Sequence, residues 1–177
     1  MRFAAILLLL ALALTSGAAD LESRALTHYI PQDLLETIVR KEGWTEIVLK
    51  PYDGVKKNDI ARIWSGGMID YGNGNQPGLH VSGPDGAKVP PAEASRMALS
   101  PQADLAYALL FKTEDGVLYK PAPGKPLEIR LTKAGSRLWV GFNDQRGRYA
   151  DNHLGKGRRY EMDPLWVRVE VIRIIVD

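Results

Sequence analysis

The 177-residue chain contains no cysteine, no surplus of charge of either sign, and only one long apolar run. Without cysteine there is no disulfide, no thiolate metal site and no lipid-modified cysteine. With 23 Lys and Arg against 21 Asp and Glu, nothing calls for nucleic acid or an anionic membrane as partner. There is no His-Glu-x-x-His and no Gly-x-Ser-x-Gly. The three histidines, His28, His80 and His153, are not spaced as a metal-binding set. Asp70, Asp85 and Asp144 could converge as a glycosidase acid pair, but an acid that holds a cation must stay ionised and makes a poor general acid. The expectation is a protein that is not an enzyme.

The one long apolar run is Phe3–Leu14, preceded by Arg2 and followed by the small residues of TSGAA before Asp20. That order is the pattern of a secretory signal cut near Ala18 or Ala19. Its 12 residues are too few to span a bilayer, which takes about 20. Three segments are therefore expected: a signal peptide over 1–19, an extension with a helix over 20–43, and one domain over 44–177. Export without disulfides points to a bacterial periplasm or the medium, with no membrane span after cleavage.

Pro31 to Arg40 predicts the one clear helix. Pro31 suits the first helical position, Asp33 and Glu36 sit near its positive end, and Leu34, Leu35, Ile38 and Val39 form one stripe before Gly43. After Gly43 come short runs rich in Val, Ile, Leu and aromatics: WTEIVLKPY, DIARIWSGGMI, LAYALLFKT, KPLEIRLT, RLWVGF and LWVRVEVIRIIV. Turn signals such as GPDG and PAPGK separate them. Short strands with little helix predict an all-β sandwich or barrel. Charges at Arg168, Glu170 and Arg173 interrupt the last strand and would guard it as a sheet edge. VPPAEASRMALSPQADL lacks a strand signal and reads as a surface loop with one helical turn.

One loop stands apart. FNDQRGRYADNHLG, Phe142 to Gly155, follows a strand and places two Asp and two Asn around a central glycine. Asx residues bond their own backbone in ordinary turns, so a solvated polar loop is one reading. A cage for a hard cation is the other, because calcium takes 6–8 oxygens from carboxylates, amides and carbonyls together. The pattern N-D-x-x-G-x-Y-x-D-N-x-x-G resembles the calcium loop of the PA-I-type (PA-IL-like) galactose-binding bacterial lectins. The run WTEIVL from Trp44 resembles that family's first strand, NDIARI from Asn58 its second, and ALLFK from Ala108 its central strand. GMIDYG, from Gly67, resembles the stretch that ends in a calcium-binding tyrosine.

The resemblance covers about Trp44 to the end. It implies a jelly-roll-like β-sandwich of the galactose-binding kind, with the N-terminal helix as an addition. It implies Ca2+ held by the carboxylates of Asp144 and Asp151, the amide oxygen of Asn152 and the backbone carbonyls of Tyr71 and Arg148. Two hydroxyls of a galactose-like sugar would complete the ion's shell, making carbohydrate the partner, and such lectins form homo-oligomers. The family's His-Pro-Asp-Gln segment is Gly83-Pro-Asp-Gly86 here, which keeps Asp85 and leaves His80 as the nearby imidazole. Tyr149, with Trp139 and Trp166, could offer a stacking face for a sugar. Arg146, Arg148, Lys156, Arg158 and Arg159 oppose a divalent ion, and KGRRYEMDP intervenes before the last strand. The alternative is a periplasmic structural or protein-interaction domain on the same scaffold, with contacts through the helix or the basic loop. If Tyr71 serves the ion only through its carbonyl, Tyr71→Phe leaves calcium affinity unchanged in titration calorimetry; a large loss would place the phenol on the ion instead.

Overall fold

The chain's alternation of apolar and polar residues is realised as antiparallel pairing. A computed structural model describes residues 22–49, 53–72, 80–154 and 163–175. One four-stranded sheet joins β1 (Glu22–Tyr29), β11 (Trp166–Ile175), β3 (Ile60–Gly66) and β8 (Leu127–Arg130), in that spatial order. A second joins β2 (Thr45–Ile47), β9 (Leu138–Phe142), β6 (Leu109–Thr113) and β7 (Leu118–Tyr119). A small third sheet joins β10 (His153–Leu154), β4 (Ile69–Asp70) and β5 (Val81–Ser82). Among the described residues all eight pairings between these strands are antiparallel. The expected all-β sandwich is what the chain forms.

Register explains the core. Val169 lies opposite Ile63, and Val171 opposite Ala61, which in turn faces Ile129. On the second sheet Leu109 lies opposite Phe142 and Phe111 opposite Val140. All of these but Val171 share one buried cluster, so the inner faces of the two four-stranded sheets meet there. Because strand side chains alternate, Leu110 points the other way, into a smaller cluster with Leu105 and Ala108. The expected helix is α1 (Gln32–Arg40), one residue shorter at its start, and it buries Leu35, Ile38 and Val39 in the main core.

Three features depart from expectation. β1 lies in the segment read as carrying only a helix, and it pairs with β11 from Glu22↔Ile175 to Tyr29↔Arg168. ESRALTHY has few β-branched residues and no clear polarity alternation; its strand character is supplied by its partner. Consequently β11 is an interior strand, and its charges do not guard an edge. Arg168 and Glu170 instead lie on the sheet's outer face, where Arg62 pairs with Glu128 and Glu170, and Arg168 covers the Trp64 ring. The stretch after Val89 is also more than a surface loop. It holds the expected helical turn as α2 (Pro91–Ala94), but its Met97 is fully buried.

Arg173 has the opposite orientation from Arg168 and anchors the turn before β3. It donates from Nε and Nη2 to the Asp59 carboxylate at 2.9 and 2.8 Å, and from Nη1 to Asp53 at 2.6 Å. Burial pushes the Asp59 carboxyl up, but the Arg173 and Lys56 hydrogen bonds outweigh it and hold the group below its ordinary value. The lowered pKa means stability present above the ordinary carboxylate range and lost as pH falls through the folded value. Asp59→Ala leaves the Arg173 guanidinium without its fork, a change expected to cost about 3 kcal/mol. In a neutral thermal melt that is a fall of about 10 °C, and a fall under 2 °C would show the pair to be dispensable.

Candidate ion and ligand site

The small third sheet gathers the site. His153 pairs with Asp70, and Asp70 with Val81. The residues just outside those pairs, Asn152, Tyr71 and His80, are thereby brought to one end of the sheet. Tyr71 N–H donates to the His80 carbonyl at 2.8 Å, which continues the β4–β5 ladder by one step. Asp144 arrives from another direction, two residues past the end of β9. The loop between Asp144 and Asn152 turns back through a 3-10 turn at Tyr149–Asp151.

An open cleft of about 180 Å3 results, lined by Tyr71, Gly72, His80, Tyr107, Asp144, Gln145, Arg148 and Asp151. Of the residues implied by the resemblance, Tyr71, His80, Asp144, Arg148 and Asp151 thus share one cleft. Asn152 is fully buried behind Asp144. Asp85 does not line the cleft: it stays in the Gly83–Gly86 turn. Gly86, at φ +76°, cannot carry a side chain there because a Cβ would sit 2.4 Å from the Ala106 carbonyl. Tyr149 is also misplaced for a sugar. Its ring belongs to the core, and its hydroxyl donates to the Phe142 carbonyl at 2.9 Å while accepting from Asp144 N–H at 3.2 Å. It pins the loop rather than facing the cleft. A separate cleft of about 230 Å3 includes Glu114, Asp115, Arg130 and Lys133, but the Lys133–Glu114 pair already spends charge there.

The electrostatics centre on two oxygens. Asn152 Nδ2 donates to the Val39 carbonyl at 2.7 Å. A carbonyl accepts only a donor, so the amide cannot be turned round, and Asn152 Oδ1 is left without a hydrogen-bond partner. Asp144 is 2% exposed; its Oδ1 accepts from Gln145 N–H at 2.6 Å, and its Oδ2 also has no partner. The Asn152 amide lies within hydrogen-bonding reach of the Asp144 carboxylate and works against the rise in its pKa. Two buried oxygens without hydrogen-bond partners are nonetheless costly unless a cation or a proton intervenes. Burial pushes the Asp144 carboxyl up to about 6, and the neighbouring Asp151 charge adds to the rise.

These atoms fit calcium. Asp144 and Asp151 would give two carboxylates, Asn152 an amide oxygen, and Tyr71 and Arg148 backbone carbonyls, an all-oxygen set open to outside oxygens. Among the described residues no three His, Asp or Glu side chains converge, so such a set would depend on amide and carbonyl oxygens beside its two carboxylates.

Sequence reasoning passed over Tyr107, Gln145 and Asn143. Tyr107 is left-handed at φ +52°, stacks on Tyr71 at 3.8 Å, donates its hydroxyl to Glu93 at 2.7 Å and accepts from Gln145 Nε2 at 2.8 Å. Nothing in AYALLF announces a left-handed tyrosine. Asn143, fully buried, accepts from Leu99 and Ser100 N–H and donates to the Ser100 and Leu105 carbonyls. It ties the Met97–Leu105 stretch to the end of β9, so one of the loop's two Asn is spent on structure.

No family model matches the chain, and no curated protein sequence does. Among solved structures it is similar to the EclA N-terminal domain, described as a PllA-like lectin, at 15% identity and a TM-score of 0.43, covering 86% of this chain and 95% of that one. At that level the likeness carries no argument about the ligand, and the site rests on its own atoms.

Asp144→Asn removes the buried carboxylate charge at the edge of the cleft. In chelator the raised Asp144 pKa gives stability that is full below its ordinary value near 3.8 and is lost as pH rises through about 6. At pH 7.5 without calcium the variant should therefore melt higher than the parent, by up to about 3 kcal/mol in stability, and the difference should vanish near pH 4. A variant that melts lower at pH 7.5 in chelator would show that the carboxylate is already well satisfied.

Proposed function

We propose that the protein is an exported, calcium-dependent carbohydrate-binding protein, lectin-like in action, whose ion bridges to sugar hydroxyls. One observation carries the reading: Asp144 Oδ2 and Asn152 Oδ1 are buried and partnerless, and Asp144 lines an open cleft. A bound calcium would satisfy both oxygens and leave coordination places toward the cleft for two neighbouring hydroxyls. The chain's own groups supply the rest of such a site. His80 and Gln145 line it with polar groups, and the stacked Tyr71–Tyr107 pair gives it a rigid aromatic side. Arg148 lowers the positive charge the site can hold, which favours modest calcium affinity and leaves galactose as one candidate sugar among several. In this reading the protein binds and does not turn over a substrate, and it acts in the periplasm or medium.

A second reading has its own support. On the outer face of the first sheet Tyr29 is 63% exposed and Trp166 38%. With Arg168 over Trp64, they form an aromatic and cationic face suited to a protein partner. Among the described residues no helix is long and apolar enough to cross a membrane. In this second reading any ion is structural and no sugar binds.

The test is a thermal melt of residues 20–177 in chelator and in millimolar calcium, followed by a glycan array under the same two conditions. Calcium at about 100 times its dissociation constant adds about 2.7 kcal/mol, or roughly 5–10 °C, and sugar binding should appear only with calcium. No calcium shift would leave the loop a polar turn. A shift without glycan binding would favour the interaction domain.

A further inference from the structure

The C-terminal end of α1 is fastened to the loop that carries the candidate ion ligands by three hydrogen bonds. Asn152 Nδ2 donates to the Val39 carbonyl at 2.7 Å, Gly147 N–H donates to Glu42 Oε2 at 3.0 Å, and Arg40 Nη2 donates to the Ala150 carbonyl at 3.1 Å. Each fastening point falls within three residues of a proposed ligand. Gly147 lies between Asp144 and Arg148, and Ala150 precedes Asp151 and Asn152.

We propose that Val39, Arg40 and Glu42 are positioning residues of the ion site, so that calcium binding and docking of the helix end form one coupled equilibrium. The proposal rests on the calcium reading above. The last carbonyls of a helix lack intrahelical donors, and Val39, fully buried, has Asn152 as its substitute. The exchange is reciprocal: the helix end gains a donor, and the loop gains a fixed amide beside Asp144 whose oxygen is left free for an ion. Gly147 is left-handed at φ +73°, and Glu42 holds its N–H in that conformation. An ion that fixes the loop therefore fixes what the helix end grips, and linkage requires the converse: a docked helix end raises calcium affinity by the same factor. The apolar stripe of α1, through Leu35 and Ile38, stays in the core, which confines the coupling to the helix end.

Glu42 is exposed, so its variants should fold. Calcium titration calorimetry on the full mature chain should show Glu42→Ala binding about fivefold more weakly, the worth of one modest hydrogen bond, with its melting temperature in chelator little changed. Glu42→Gln, whose amide oxygen still accepts from Gly147, should stay within about twofold of the parent. Arg40→Ala should weaken binding in the same direction. Amide exchange should show residues 38–42 protected by calcium in the parent and not in Glu42→Ala. Parent-like affinity in both alanine variants, with exchange at 38–42 indifferent to calcium, overturns the coupling and leaves the ion site standing. A Glu42→Gln loss equal to that of Glu42→Ala overturns positioning in favour of bare charge. No calcium binding by the parent overturns the ion reading itself, and the coupling with it.

Discussion

The hydrogen bond from Asn152 to the Val39 carbonyl is the constraint on which the site depends. It fixes which end of a buried amide is the donor, and so decides that the Asn152 oxygen is the atom left without a partner. Turned round, the amide would set its oxygen against the Val39 carbonyl and leave the helix end without its donor. A contact made by a helix thus determines the chemistry of a loop over a hundred residues away. The same contact explains why α1 is not a peripheral addition: its stripe closes the core and its end orients the ligand set.

Around that contact the rest of the cleft is over-determined by backbone pairing. A two-residue strand such as β4 would count for little alone, but it pairs on both sides, with β10 and with β5. Antiparallel pairing then makes Tyr71, His80 and Asn152 neighbours without help from their side chains. On the far side, Asn143 spends all its capacity holding the Met97–Leu105 stretch against the end of β9, and Tyr149 pins the loop from inside. Side chains that looked available for a ligand are in part the means by which the others are kept in place.

Much of the fold was legible because binary patterning carried it. The helix at Gln32–Arg40 and the strands with alternating or continuous apolar residues lie where their patterns placed them. β1 was not legible, since its strand character comes from pairing with β11 and not from its own residues. The role of Trp166 was hidden for a related reason. Its ring lies over Gly66, where a Cβ would approach within 2.8 Å, so a cross-strand gap and not a sugar explains that aromatic. The cleft's acidic and amide residues could be read from their spacing in one loop. Tyr107, Gln145 and the grip of α1 could not, because each depends on a backbone conformation or a distant contact that leaves no local trace.

The order of strands in the first sheet bears on when the chain can fold. Among the described residues β11, which lies between β1 and β3, is the last strand in chain order, and both its neighbours come from the first half of the chain. β3 also pairs with β8, but β1 pairs with β11 alone, and the closure of such distant contacts is slow. Closure of the first sheet therefore waits on pairing across almost the whole described chain, from Glu22 to Ile175.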